Sequence, residues 1–195
     1  MIATDILREE HRIILSVLRA LEKICESIDS GACVDKELGE KIVSFIREFA
    51  DACHHGKEEA RLFKWMRRRQ IGTGPVGMLE EEHETGRGFV RAMRGALEAG
   101  DDRRFGEAAR GLIDMLRIHI DREDHGVFVI ADDVVQTDDD RSLIDAYAEA
   151  EAEAGGHRHS AGLALAQEIC DAANVPCVTL RELPNISRYY LSVPV

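Results

Sequence analysis

The chain is poor in the residues that punctuate β structure: of its 195 residues only four are proline and 5% are aromatic. A sandwich or barrel needs frequent turns and strand-favouring side chains, so this scarcity argues against an all-β fold and for an all-α one. Basic residues are also in deficit, 25 against 37 acidic for a net charge of −12. A surface of that sign repels polyphosphate, and nucleic acid is not expected as a partner. No run of about 18 apolar residues occurs, and the opening MIATDILREEHR puts acids and a histidine where a secretion signal needs an apolar stretch. The expectation is a soluble cytoplasmic protein with no membrane partner. Five cysteines, Cys25, Cys33, Cys53, Cys170 and Cys177, form an odd set without a CxxC pair. That spacing supports neither a disulfide framework nor a zinc ribbon, and Cys53 reads as a core thiol.

What the sequence does contain is helical periodicity. From Thr4 or Asp5, the apolar positions Leu7, Ile14, Leu18, Leu21, Cys25 and Ile28 step by threes and fours, with His11 falling in the same stripe. Gly31 closes this helix and Asp35 caps the next, which runs to about Arg69 with Leu38, Ile42, Val43, Phe45, Ile46, Phe49 and Ala50 on its apolar arc. After the break IGTGP, a third helix carries Leu79, His83, Gly86, Val90, Met93 and Leu97. A fourth, from about Asp101, carries Phe105, Ala108, Leu112, Met115, His119, Glu123 and Val127. Long helices joined by short connections run antiparallel, so residues 1–133 are expected to form an up-down-up-down four-helix bundle. Residues 134–195 read as an extension: a polar fifth helix, a sixth after Gly155-Gly156, and a strand-like tail. The sixth helix either packs beside the bundle or makes a homodimer contact. His157 and His159 alternate by two, which favours an exposed helix start over a second metal site.

Helical geometry also sets the histidines at matching heights across two of the three joins, while across residues 70–75 the second helix must overhang by roughly 10 Å. His11 lies about 18 residues before the first turn and His54 about 18 after it, each roughly 27 Å along its axis; His83 and His119 match across Gly100 to within roughly 3 Å. Four and eight residues before His54 stand Ala50 and Ile46, whereas Asp51 and Arg47 precede His55 at the same intervals. His54 and Glu58 therefore face inward, and His55 and Glu59 are placed toward the rim. His54 with Glu58 and His119 with Glu123 repeat the spacing His-x-x-x-Glu, which aims an imidazole and a carboxylate at one small volume. Six buried ionisable groups would cost several kcal/mol per charge without a counter-ion. Cations remove that objection. Two carboxylates bridging a pair of ions, with two histidines on each, suit iron first, with zinc and manganese left open by the same ligand chemistry.

The segments EEHRIIL around His11, HHGKEEARLF around His54, LEEEHETGR around His83 and HIDREDHGVF around His119 together resemble the hemerythrin-like, HHE cation-binding family over residues 1–131. The resemblance implies a four-helix bundle with an oxo- or hydroxo-bridged non-haem di-iron centre. His11, His54, His83 and His119 would be terminal metal ligands, and Glu58 and Glu123 bridges. Oxygen-carrying hemerythrins have a fifth histidine one turn after the ligand on the third helix. Here that position is Arg87, read as a salt-bridge residue, and the site is closer to the members that repair iron centres. The expected function is to bind or sense dioxygen, nitric oxide or peroxide. The alternative is a turnover enzyme of the di-iron repair or peroxidase type.

Overall fold

The computed structural model describes residues 2–178, and the strand-like tail expected near the C-terminus falls largely outside them. Every regular element among the described residues is helical. They form six rods: α1 (Ile2–Asp29), α2 (36–68), α3 (Thr73–Ala99), α4 (102–134), α5 (Thr137–Glu153) and α6 (Arg158–Ala172). The third rod starts at a left-handed Gly72 and carries Pro75 in its first turn.

Local chemistry fixes the rod ends. The Asp35 carboxylate accepts from the Leu38 N–H at 3.1 Å, and the Asp101 carboxylate accepts from the Arg104 N–H at 3.0 Å, so α2 and α4 each begin on a side-chain cap. Gly100 ends α3 at φ +64, a left-handed backbone that glycine enters without a Cβ clash, and its N–H reaches the carbonyls of Ala96 and Leu97.

Two rods are not purely α-helical. Within α2, Ile46–His55 and Glu58–Leu62 adopt the wider π-helix, and Glu123–Val127 does so within α4. Both Glu58 and Glu123 open a π turn, and each accepts on its carbonyl the N–H of the residue five further on, Phe63 and Phe128. Such turns are rare and concentrate at functional sites, because the extra residue re-aims side chains that an α-helix would send elsewhere.

The apolar stripes of α1 to α4 meet in one core that includes Leu18, Leu21, Phe45, Phe49, Phe105 and Leu112. A second cluster packs Leu7, Phe63, Trp65, Leu79 and Phe128. The ionisable residues sit between these apolar layers, which keep water from both sides. Truncating a fully buried member such as Leu18 to alanine is expected to cost about 2–5 kcal/mol. Helix α6 lies against α1 and α2, contributing Ala166 and Ile169 to the larger core, and α5 sends Leu143 and Tyr147 into the smaller one. No helix among the described residues is long and apolar enough to cross a membrane.

Candidate metal centre

His11, His54, His83, His119, Glu58 and Glu123 all point into the gap between the two apolar clusters, each at most 1% exposed. The His11 and His54 rings lie 4.5 Å apart, and those of His83 and His119 4.7 Å. Glu58 spans the two pairs, with Oε1 at 3.3 Å from His54 Nε2 and Oε2 at 3.4 Å from His83 Nε2. Glu123 does the same from the other side: its Oε2 is 3.2 Å from both His11 Nε2 and His119 Nε2.

These separations are not hydrogen bonds. Both oxygens of Glu58 and of Glu123 are buried without a hydrogen-bond partner, as is Nε2 of His11 and of His54. His83 Nε2 and His119 Nε2 face each other at 3.1 Å. Two atoms bound to one ion at about 2.1 Å lie about 3.0 Å apart at a right angle and about 3.4 Å apart at a tetrahedral angle. The observed spacings fall in that interval. Orphaned buried carboxylates are expensive, and shared cations satisfy both the spacing and the charge. Two sets of donor atoms lie within 4.8 Å of one another: His11, His54, Glu58 and Glu123, and His55, Glu58, His83 and His119.

The second set contains a correction. His55, expected at the rim, is 6% exposed and stacks on His83 at 3.8 Å between centroids. The π-helix explains the difference: Gly56 N–H reaches back five residues to the Asp51 carbonyl, so the turn is wider than 3.6 residues, and Ala50, five residues before His55, is buried. An α-helical count of four gives Asp51 and the wrong face. Glu59 is at the rim, 32% exposed.

Each of the four histidines is braced from behind by a carboxylate on a different rod. His11 Nδ1 is 2.8 Å from Asp124 Oδ1, His54 Nδ1 3.0 Å from Glu10 Oε2, His83 Nδ1 2.7 Å from Glu59 Oε1, and His119 Nδ1 2.9 Å from Glu82 Oε2. A carboxylate only accepts, so Nδ1 carries a proton and Nε2 faces the centre, where it becomes the metal donor once it has lost its own proton. The braces run in a circle: α1 supports α2, α2 supports α3, α3 supports α4, and α4 supports α1. None of them was singled out from the sequence. Their signal is that each acid adjoins a ligand motif of its own rod, as in Glu10-His11, Glu58-Glu59, Glu82-His83 and Glu123-Asp124.

Electrostatics follow the geometry. Burial opposes the charge on His54, but Glu58 and Glu10 outweigh it and lift the ring to about 10; Glu58 and Glu59 similarly lift His83 to about 9. Burial and then repulsion from Glu58 push Glu123 up, yet His119 and His11 hold it at about 2. His55 goes the other way, since burial and the neighbouring His83 lower its ring to about 3.

Arg87 forms salt bridges, its Nε donating to Asp51 Oδ1 at 2.9 Å and its Nη2 to Glu59 Oε1 at 2.8 Å, and makes no contact with Glu58 or Glu123. It stands at the mouth of a cavity of about 230 Å³ whose inner wall includes His55 and His83, with Ile46, Val90, Leu112 and Leu116 as apolar sides.

Behind His54 lies a second buried polar cluster. Glu10 Oε1 accepts from Lys57 Nζ at 2.5 Å and lies 3.2 Å from His159 Nδ1, while Lys57 also donates to Cys53 Sγ at 3.1 Å. His159 is 4% exposed, so the expectation that His157 and His159 merely open an exposed helix fails for His159: Gly162 lets α6 close onto Phe49, and that docking turns His159 inward. His157 is exposed. Cys53 is a buried thiol, as its sequence context predicts, pushed up to about 12 by burial. Glu10, Cys53 and His159 lie close enough to share a cation, but the Lys57 ammonium already supplies the positive charge there.

The family model described as the hemerythrin HHE cation binding domain matches residues 2–131. Neither the curated proteins nor the solved structures give a match to the chain.

Proposed function

The chain belongs to the hemerythrin HHE cation-binding family, and from that premise we propose that it is a cytoplasmic non-haem di-iron protein that binds or senses dioxygen, nitric oxide or peroxide. In this reading residues 1–133 form the metal-binding unit, an antiparallel up-down-up-down bundle, and 134–195 an extension docked on it. The short connectors 30–35, 69–72 and 100–101 support that topology.

The observation that carries the reading is the pair of buried glutamates, four oxygens without a hydrogen bond, three of them 3.2–3.4 Å from imidazole nitrogens and the fourth, Glu123 Oε1, 4.0 Å from His83 Nε2. His11 and His54 would hold one ion, His83 and His119 the other, and Glu58 and Glu123 would bridge them. The imidazole and carboxylate donor set suits iron, and Cys53 belongs to the separate cluster of Lys57, Glu10 and His159 rather than to either donor set around Glu58. Ferrous ions in the site would supply the electrons for reaction with the small ligand. The protein's own contribution is to fix the imidazole tautomers through Glu10, Glu59, Glu82 and Asp124, to accept the change of charge on two bridging carboxylates, and to exclude water with Ile46, Leu79 and Leu116.

Metal analysis and optical spectra of anaerobically reduced protein, before and after oxygen, test this. About two irons per chain and a new charge-transfer band are expected. Stoichiometric zinc with no band removes the proposal. The cavity beside His83 exceeds the roughly 30 Å³ of a water-sized molecule several-fold, which favours as second reading a repair or peroxidase-type enzyme with a larger substrate. Reductant-dependent consumption over many turnovers, against a single stoichiometric spectral change, separates the two.

A further inference from the structure

Three of the four carboxylates that brace the histidines stand at the rim: Asp124, Glu59 and Glu82 are 25%, 32% and 19% exposed. Glu10, the brace of His54, is 1% exposed and is itself gripped from behind. Its Oε2 lies 3.0 Å from His54 Nδ1, while its Oε1 accepts from Lys57 Nζ and lies 3.2 Å from His159 Nδ1. The two oxygens turn together about one bond, so whatever fixes Oε1 also aims Oε2. Lys57 does this loosely, because an ammonium on a flexible stem donates in several directions and follows its acceptor. His159 does it firmly. Its ring lies against Phe49 at 5.4 Å between centroids, its backbone N–H donates to Glu151 Oε1 at 2.8 Å, and Gly162, one turn on, seats α6 against the same Phe49.

We infer that His159 is a positioning residue of the metal centre: α6 holds Glu10 through it, Glu10 aims His54, and docking of α6 is thermodynamically linked to the ion at His11 and His54. The inference rests on the two-ion reading above and deepens it, since it gives the extension a part in the site. A terminal ligand whose brace is misaligned is a weaker donor. Undocking α6 therefore lowers the affinity for one ion and leaves the other, whose histidines are braced by Glu59 on α2 and Glu82 on α3. Linkage runs both ways: a cation in the site must tighten α6 by the factor with which α6 tightens the cation. The occupancy of the centre thereby becomes readable at an outer helix.

Cobalt(II) is the probe, added to the metal-free full chain. His159→Leu keeps an apolar side chain against Phe49 and removes the imidazole, whereas His159→Asn returns an amide nitrogen near the place of Nδ1. In His159→Leu one of the two cobalt-binding steps should weaken by about fivefold or more while the other holds, and His159→Asn should restore most of the loss. Equal steps in all three proteins refute the inference and leave the two-ion reading intact. Proton NMR of the dicobalt protein should show one strongly shifted imidazole N–H signal displaced in His159→Leu and the others unmoved; an unchanged set overturns the inference as well. Hydrogen exchange gives the readout that a merely structural residue would leave alone. Cobalt should slow exchange of the α6 amides in the unaltered chain by about the factor seen in affinity, and in His159→Leu the slowing should be confined to α1–α4. Equal slowing of α6 in both proteins overturns the linkage. An unaltered chain that binds fewer than two cobalt ions removes the two-ion reading itself and the inference with it, so the failures are told apart.

Discussion

Replacing Lys57 by methionine keeps an unbranched side chain, one atom shorter, and removes one charge from the cluster behind His54. Lys57 is 4% exposed, and its ammonium is kept charged against burial first of all by Glu10. Glu10 is 1% exposed, so in Lys57→Met its carboxylate stays inside the protein beside the imidazoles of His54 and His159 and without the ammonium. Removing one partner of a buried ion pair costs about 3–5 kcal/mol. The two remaining imidazoles place this case at the lower end, about 3 kcal/mol, which for a chain of this size lowers Tm by about 6–12 °C. Urea unfolding of the metal-free protein, followed by circular dichroism, is the direct assay, because bound metal would add its own stabilisation. The double variant Lys57→Met with Glu10→Gln removes both charges and should recover most of the loss, giving a coupling energy of about 2 kcal/mol. A single-variant loss below about 1 kcal/mol would mean that the ammonium does not neutralise Glu10, and the account of this cluster would be wrong.

Metal uptake should release protons at pH 7, because His54 and His83, lifted to about 10 and 9, hold their protons in the metal-free protein and a proton on the donor nitrogen blocks the lone pair. Apparent affinity then rises as pH rises toward those values and falls below them; calorimetry in buffers of different ionisation enthalpy reads the release, and a release of zero contradicts it. In Gly162→Ala, the new Cβ would stand 2.8 Å from Phe49 Cγ and nearer still to the ring edge, so α6 must shift off the core at a cost of about 1–3 kcal/mol. An unchanged urea midpoint would show that the helix is not seated there. Arg87→Ala frees Asp51 and Glu59, and since the bridge is about 30% exposed, global stability should drop by less than about 1 kcal/mol while cobalt(II) affinity falls about tenfold. Equal affinity would leave Arg87 with no part in bracing the rings.

The heptad-like steps of Leu7, His11, Ile14 and Leu18, or of Leu112, Met115, His119 and Glu123, made helices and their inward faces legible, because an α-helix repeats every 3.6 residues whatever surrounds it. His55 was misread because its rod abandons that repeat where it meets the centre. The braces were illegible for another reason: Glu10 looks like the neighbour of His11 yet serves His54, and no periodicity along one helix reveals a partner on the next. His159 shows the same limit, since its direction is decided by the docking of α6 against Phe49 and not by its own segment.

Because the four braces close into a circle, the order of the rods around the centre is written twice, once in the loops and again in side chains that ignore the loops. Each motif is half of its own coordination and half of its neighbour's. A segment transplanted from another chain would have to bring an acid suited to the adjoining histidine along with its own donor, so single-helix exchange should fail where exchange of a whole quartet succeeds.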